Sequence, residues 1–271
     1  MSKVVSILRF VIGFTVMVVM TLIVMVAVIV LLPWRVGRIY VCNWWGHVVG
    51  RTIVFLAGVT PVVRGWERLK GSMPAIFVMN HASTLDAFSG IWMCPYGGCG
   101  VFKKEIVKVP FYGQLAWMSG HLLIDRSNTG KAVETLKDMA VFMNKHRLGI
   151  WIFPEGTRSR DGRLLPFKKG FVHMAIATGF PVVPVVVHGA HKNWEKGSML
   201  EFKPMTLEVD VLPPIDTKGW TEETAAEHAQ QVHDAFVATL KEDQRPLPAA
   251  TPTVTPSPEA AVSTPPTPVA S

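Results

Sequence analysis

The stretch AIFVMNHASTLD, residues 75–86, decides how this chain folds. Its five consecutive apolar residues, 75–79, predict a strand that is buried on both faces, as strands of parallel sheets are. The polar residues that follow place His81 at the exit of this strand and Asp86 in the first turn of the next helix. A buried strand that turns directly into a helix is typical of α/β domains.

Further candidate strands lie along the chain at residues 121–124, 148–153, 182–187 and 205–211. The first three are nearly continuous apolar runs, whereas the last alternates apolar and polar side chains, which predicts a strand near an edge or half exposed to water. Residues 131–145 and 221–240 carry apolar side chains at helical spacing and predict helices that cover the sheet. The sequence therefore predicts an α/β domain with a mixed, largely parallel sheet flanked by helices.

The N-terminal part of the chain differs in character. Residues 10–32 contain no charged side chain, and as a helix they would be about 35 Å long, enough to reach across a bilayer core. A signal peptide is the weaker interpretation, because Pro33-Trp34-Arg35 follows instead of a small-residue cleavage site. Residues 36–57 are also apolar but are interrupted by polar and charged side chains, which suits a membrane interface.

Two membrane arrangements of these segments remain open. They form either a helical hairpin that enters and leaves one leaflet on the same side, or one spanning helix followed by an amphipathic collar. Positive charges flank the apolar run on both sides, so the positive-inside rule gives no orientation. In either case we expect a catalytic domain, 58–245, against the membrane, and a disordered tail, 246–271, rich in Pro, Thr and Ala.

The net charge indicates which partners the chain could bind, and the spacing of the cysteines bears on disulfides and metal sites. A formal net charge of +7 fits nucleic acid, an anionic membrane or an anionic substrate. The basic residues are dispersed and fall near predicted loops, which suits small phosphates and anionic lipid better than a nucleic-acid groove. Cys42, Cys94 and Cys99 have neither disulfide-rich nor zinc-site spacing, so we interpret them as reduced thiols and predict no metal site.

His81 and Asp86 have the spacing of a catalytic pair. A carboxylate bonded to one ring nitrogen fixes the histidine tautomer and leaves the other nitrogen as a general base. The nucleophile could then be the alcohol of the substrate itself, since the chain has no G-x-S-x-G elbow. The alternative is that His81 only caps a turn and Asp86 only stabilises a helix N-terminus.

A second polar stretch, FPEGTRS at residues 153–159, follows another buried strand. Its side chains should therefore emerge at the same sheet edge as His81, where clefts of α/β sheets form. Gly156 allows close backbone approach, and Arg158 offers the planar fork that matches a phosphate monoester. The alternative is that Glu155 and Arg158 form a loop salt bridge.

Together these stretches resemble the glycerolipid acyltransferase family, in particular its 1-acylglycerol-3-phosphate acyltransferases of bacterial type. The resemblance covers roughly residues 61–240 and rests on four blocks: 80–86, 103–126, 153–159 and 183–189. It implies that His81 and Asp86 are catalytic. It also implies that the substrate is bound by Lys104, Arg126, Glu155, Gly156, Thr157 and Arg158.

The resemblance implies an activity as well. A fatty acyl group passes from acyl-CoA or acyl carrier protein to the sn-2 hydroxyl of 1-acyl-sn-glycerol 3-phosphate, giving phosphatidic acid, without an acyl-enzyme and without a cofactor. The implied partners are the thioester donor, lysophosphatidate and membrane lipid, with no nucleic acid. The implied location is the bacterial inner membrane, with the catalytic domain on the cytoplasmic side.

Two alternatives to this activity stay open. One is the same transfer to another lysophospholipid or to a lyso-aminolipid, because Arg158 favours a phosphate without requiring a terminal one. The other is a non-catalytic membrane protein that binds lipid.

Overall fold

A computed structural model describes residues 3–125, 129–194 and 202–247 of the chain. The strands are β1 (Val59–Arg64), β2 (Ile76–Met79), β3 (Gly98–Lys103), β4 (Leu122–Ile124), β5 (Gly149–Ile152), β6 (Val182–His188) and β7 (Met205–Val211). The helices are α1 (Lys3–Val30), α2 (Arg35–Leu56), α3 (Trp66–Gly71), α4 (Thr84–Met93), α5 (Tyr112–Met118), α6 (Thr129–His146), α7 (Gly170–Thr178) and α8 (Ala225–Thr239). Short 3-10 turns occupy Lys104–Lys108, Ala190–Lys192 and Glu242–Gln244.

The strands form one seven-stranded sheet in the order β1-β7-β6-β2-β5-β3-β4. All neighbouring pairs are parallel except β6 and β7, which are antiparallel. This confirms the predicted mixed, largely parallel sheet. The alternating strand at 205–211 is β7, which lies beside the edge strand β1 and alternates buried with partly exposed residues, as predicted.

Strands β1 and β3 are absent from the sequence prediction. The β1 segment contains Pro61, and the β3 segment contains Gly98 and Gly100, residue types that are depleted in strands. Proline is tolerated in β1 because this strand lies at the edge of the sheet. The pairing of β3 with β4 and β5 overrides its weak local preference.

The central strand β2 shows why its sequence is apolar throughout. Ile76 and Val78 point into the core under α6, α7 and α8, whereas Phe77 and Met79 point into the core that includes α4 side chains. All four side chains are fully buried. Both faces of the sheet are therefore covered, and His81 leaves β2 at its carboxyl end, between neighbours β5 and β6.

The two N-terminal segments form an antiparallel helical hairpin. Gly13 of α1 packs near Ile53 of α2, while Val28, near the end of α1, shares an apolar cluster with Cys42 of α2. The outer side of α1 is exposed and apolar, and Val4–Val30 is a helix long and apolar enough to cross a membrane. The domain limits 1–57, 58–245 and 246–271 stay a prediction, since most of the last segment lies outside the described residues.

Helix α2 rests directly on α4. Its contact face carries Gly46 and Gly50, where an added Cβ would lie 2.9 Å from the Ile91 oxygen and 2.5 Å from the Phe88 oxygen, respectively. These glycines let the two backbones approach closely. The hairpin is therefore attached to the helix that follows His81.

We expect Gly50→Ala to destabilise the protein by about 1–3 kcal/mol, because its methyl group would overlap the α4 backbone and force the helices apart. The matched control is Gly71→Ala at the end of α3, where an added Cβ meets nothing within 4 Å. The melting temperatures of the two detergent-solubilised variants measure these effects on stability. Equal melting temperatures for the two variants would show that the α2–α4 contact is less tight than described.

Candidate active site

The turn from β2 into α4 is fixed by a capping box. The backbone N–H of Leu85 donates to Ser83 Oγ at 3.2 Å, and the backbone N–H of Ser83 donates to Asp86 Oδ2 at 2.6 Å. Ala82 N–H donates to the same oxygen at 2.6 Å. Asp86 is 1% exposed, so its carboxylate is held rigidly at the N-terminus of α4.

Asp86 also holds His81. The Nδ1 atom of His81 lies 3.3 Å from Asp86 Oδ2, and the ring stacks on Phe153 with a centroid separation of 4.2 Å. The two interpretations of Asp86, as the partner of a histidine and as a helix cap, therefore both match contacts in the structure. The same oxygen, Oδ2, caps the helix and contacts the His81 ring. The ring nitrogen left for a substrate is Nε2.

The loop after β5 holds the backbone of His81 from two sides. The His81 N–H donates to Glu155 Oε1 at 2.7 Å, and Ser159 N–H donates to the His81 carbonyl at 2.9 Å. The second Glu155 oxygen accepts from Leu165 N–H at 3.3 Å. Glu155 is thus bonded to main-chain groups, and among the described residues it forms no ion pair with Arg158.

Burial changes the chemistry of Glu155. Its side chain is 3% exposed, and desolvation raises its pKa to about 8, against the two backbone N–H bonds, which lower it. Nothing in the sequence pattern distinguishes this carboxyl from an exposed one. Its partners are separated from it in sequence, His81 by 74 positions and Leu165 by 10, so only the folded chain reveals these contacts.

Arg158 lies on the α4 side of the same loop. Its Nη1 donates to Thr84 Oγ1 at 2.5 Å, which ties the guanidinium to the first residue of α4. Gly156 has a φ of +71°, and a Cβ there would lie 3.1 Å from Lys168 Cε. The positive φ favours glycine at this position, and the Lys168 side chain passes close to it.

These groups border a cavity of about 570 Å³, within the usual range for ligand pockets. Its polar lining includes His81, Thr84, Lys103, Thr157 and Arg158. The greater part of the wall is apolar and comes from α1, α2, α4, α5 and β3, including Met17, Trp45, Phe88, Ile91, Phe102 and Leu115. The arrangement places the His81 imidazole and the Arg158 guanidinium beside a largely apolar space.

His121 also lines the cavity but differs from His81. Its burial, together with the charge of Arg35, lowers its pKa to about 4, so the ring stays neutral near pH 7. Its Nδ1 accepts a hydrogen bond from Gly100 N–H. Within the described part of the chain, three other histidines have carboxylate partners, His173 with Glu222, His188 with Asp210 and His233 with Asp234, but none of them lines the cavity.

The structure does not bring every predicted binding residue into the cavity wall. Lys104 is exposed and pairs with Asp125 at 2.5 Å, whereas the preceding Lys103 lines the cavity. Successive side chains of a strand point to opposite faces, and Lys103 ends β3, which the sequence did not predict. Gly156, Thr157 and Arg158 line the cavity, and Arg126 lies outside the described residues.

Several known proteins are similar to this chain in sequence and in fold. Residues 60–188 match the acyltransferase family. The chain is 41% identical to the 1-acyl-sn-glycerol-3-phosphate acyltransferase of Limnanthes douglasii over 219 residues, covering 81% of this chain and 77% of that relative. The Escherichia coli protein of the same name is 34% identical over 202 residues, covering 73% of this chain and 81% of that relative.

The fold likeness agrees with these matches. The crystal structure of the 1-acyl-sn-glycerophosphate acyltransferase from Thermotoga maritima superposes with a TM-score of 0.68 at 25% identity, covering 89% of this chain and all of that one. The chain belongs to the 1-acyl-sn-glycerol-3-phosphate acyltransferase family. The resemblance inferred from the sequence blocks is therefore confirmed, and the protein is an acyltransferase.

For this acyltransferase, the buried Glu155 predicts a pH-dependent stability. An ordinary glutamate titrates near 4.5, and Glu155 in the folded protein titrates near 8. Between these values the folded protein holds a proton that the unfolded chain has released, so the free energy of unfolding falls as the pH rises.

Glu155→Gln removes the titration and should flatten this slope. Melting temperatures of wild type and variant between pH 5 and 8 measure the effect: wild type should lose stability relative to the variant as the pH rises. A difference that stays constant across this range would contradict a raised Glu155 pKa.

Proposed function

We propose that this acyltransferase moves a fatty acyl group from acyl-CoA or acyl carrier protein to the sn-2 hydroxyl of 1-acyl-sn-glycerol 3-phosphate, giving phosphatidic acid. The observation that carries the proposal is the contact between His81 and Asp86 at the wall of an apolar cavity that also contains Arg158. The matched relatives, named for activity on this acceptor, support the same assignment.

The reaction needs a base and no covalent enzyme intermediate. His81 Nε2 takes the proton of the acceptor hydroxyl, whose oxygen attacks the carbonyl carbon of the thioester. The carbon–sulfur bond then breaks, and the leaving thiolate takes the proton back from His81. Asp86 keeps the ring in the tautomer with a proton on Nδ1 and stabilises the imidazolium while it exists.

Arg158 is the group we assign to the acceptor phosphate. Within residues 3–125, 129–194 and 202–247, the guanidinium bonds Thr84 through Nη1 only, so its other N–H groups can meet a phosphate, and Arg158 lines the same cavity as His81. A phosphate held there places the glycerol hydroxyls near the base. Glu155 acts through the His81 backbone in this scheme and is a positioning residue, so the phosphate contact that the family resemblance implies for it falls to Arg158 and Thr157.

The packing of α1 supports a hairpin in one leaflet. Near its N-terminus α1 borders a space also lined by Trp194 and Phe202, and near its C-terminus Val24 and Val28 share a cluster with Leu115 of α5. Both ends of α1 thus lie beside the catalytic domain, whereas a spanning helix would leave it. We place the domain on the cytoplasmic side, where the thioester donors are, and keep the bacterial inner membrane as a prediction.

We expect His81→Ala to lower kcat by on the order of 10²–10⁴-fold, because the general base is lost while the fold is kept. The matched control is His173→Ala, since His173 also contacts a carboxylate but lies outside the cavity wall. The measurement is acyl transfer from acyl-CoA to lysophosphatidate. A folded His81→Ala variant with near-native activity would rule out this mechanism.

Arg158→Ala should weaken use of lysophosphatidate by roughly 1.5–3 kcal/mol, about ten- to a hundredfold in kcat/KM, because a charged hydrogen-bond donor is lost. Arg158→Lys should restore little, since an ammonium lacks the planar fork. The exposed Arg160→Ala is the control. The loss should be much smaller for monoacylglycerol, which has no phosphate, and an equal loss for both acceptors would assign Arg158 to the loop or the donor.

A further inference from the structure

A second apolar space, which we call the α1 cleft, lies beside the cavity. Its volume is about 70 Å³. The first half of α1 forms one wall, and the end of α2, one residue of α4 and two aromatic residues of a later loop form the others. The lining residues are Arg9, Phe10, Gly13, Phe14, Met17, Ile53, Leu56, Ala57, Phe88, Trp194 and Phe202.

The α1 cleft and the cavity share a wall of two side chains. Met17 and Phe88 line both spaces. Phe88 lies one helical turn after Thr84, which lines the cavity beside Arg158. Its ring stacks parallel to Trp194 at 6.0 Å, and the Trp194 carbonyl accepts from Ser83 Oγ at 2.9 Å. The cleft is thus attached to the same turn that positions Asp86 and His81.

The proposed reaction requires two apolar surfaces near His81. The product carries acyl chains on adjacent glycerol carbons, so at the moment of attack both chains diverge from a single point. The cavity can enclose one of them. The other must leave along a second apolar surface that begins within a few atoms of the glycerol.

We propose that the α1 cleft binds the acyl chain already present on the acceptor, while the cavity takes the chain of the donor. This assignment rests on the proposed function. Phe14 lines the cleft and is 48% exposed on the lipid-facing side of α1, so the cleft opens toward the bilayer from which a lysolipid arrives. The donor comes from water, and the cavity, with about eight times the volume of the cleft, covers more of its chain.

The size of the cleft defines what it holds. It has about one-eighth of the cavity volume, enough for the methylene groups nearest the glycerol only. The rest of the acceptor chain follows the exposed apolar side of α1, which includes Val11 and Ile12. A lipid held in this way keeps most of its chain in the bilayer, so both entry and product release expose little apolar surface to water.

Photo-crosslinking of the full chain in vesicles tests the assignment directly. The probe is a lysophosphatidate with a diazirine within the first carbons of its chain, and the comparison probe is an acyl-CoA with a diazirine in its chain. The lysolipid should label residues 9–14 or Trp194 and Phe202, which line only the cleft, and the acyl-CoA should label cavity residues such as Ile106 and Leu115. Lysolipid label confined to the cavity would overturn the proposal. Protein that acylates no lysophosphatidate in the same vesicles would instead overturn the proposed function.

A filled cleft provides the second test. At Gly13 an added Cβ would meet the side-chain ends of Ile53 and Leu56 at 3.1 and 3.4 Å, so Gly13→Leu occupies the space. It should lower kcat/KM about tenfold for both oleoyl and hexanoyl lysophosphatidate, because both carry the methylene groups next to the glycerol, and it should leave the donor chain-length profile unchanged. The control Val19→Phe adds bulk on the exposed side of α1. It should change neither the kcat/KM for lysophosphatidate nor the donor chain-length profile.

A second variant keeps the proposal falsifiable if Gly13→Leu disturbs the hairpin. Phe14→Ala widens the cleft without adding bulk and should raise the relative use of acceptors with a branch close to the ester. Equal effects of Phe14→Ala on straight and branched acceptors, or a changed donor profile with unchanged acceptor preference, would overturn the proposal.

Discussion

The Asp86 carboxylate is the interaction on which the site depends. One of its oxygens accepts two backbone N–H groups at the start of α4 and contacts the His81 ring. A buried carboxylate is costly unless it is hydrogen-bonded, and the N-terminus of α4 supplies both the donors and a favourable dipole. This one group therefore fixes the strand-to-helix turn, the start of α4 and the orientation of the His81 ring.

A second buried carboxyl, that of Glu155, holds the backbone of His81. Glu155 lies among main-chain donors, but its desolvation is large enough to raise its pKa, and the charge of Asp86 raises it further. The two acids thus differ in role because their surroundings differ. Asp86 contacts the His81 ring, and Glu155 fixes the backbone that carries the ring, so the imidazole has little freedom in either rotation or translation.

The sequence predicts most of what local patterns control. The apolar run at 75–79 predicted a strand buried on both faces, which is β2, and the spacing of His81 and Asp86 predicted a contact that the structure contains. The features that the sequence did not predict depend on contacts between distant parts of the chain. Pairing with neighbours makes strands of β1 and β3 despite their proline and glycines, and missing β3 concealed that Lys103 rather than Lys104 lines the cavity. The Glu155 bond to His81 joins two segments that no local pattern relates.

The glycine contact between α2 and α4 makes the membrane anchor part of the enzyme's interior. Trp45 of α2 lines the cavity, and Gly46 and Gly50 of the same helix rest on the backbone of α4. Deleting the first 57 residues would remove a wall of the cavity along with the attachment to lipid. A water-soluble catalytic domain is thus not obtained by cutting this chain, and its solubility would have to be engineered on the outer side of α1 with the hairpin left in place.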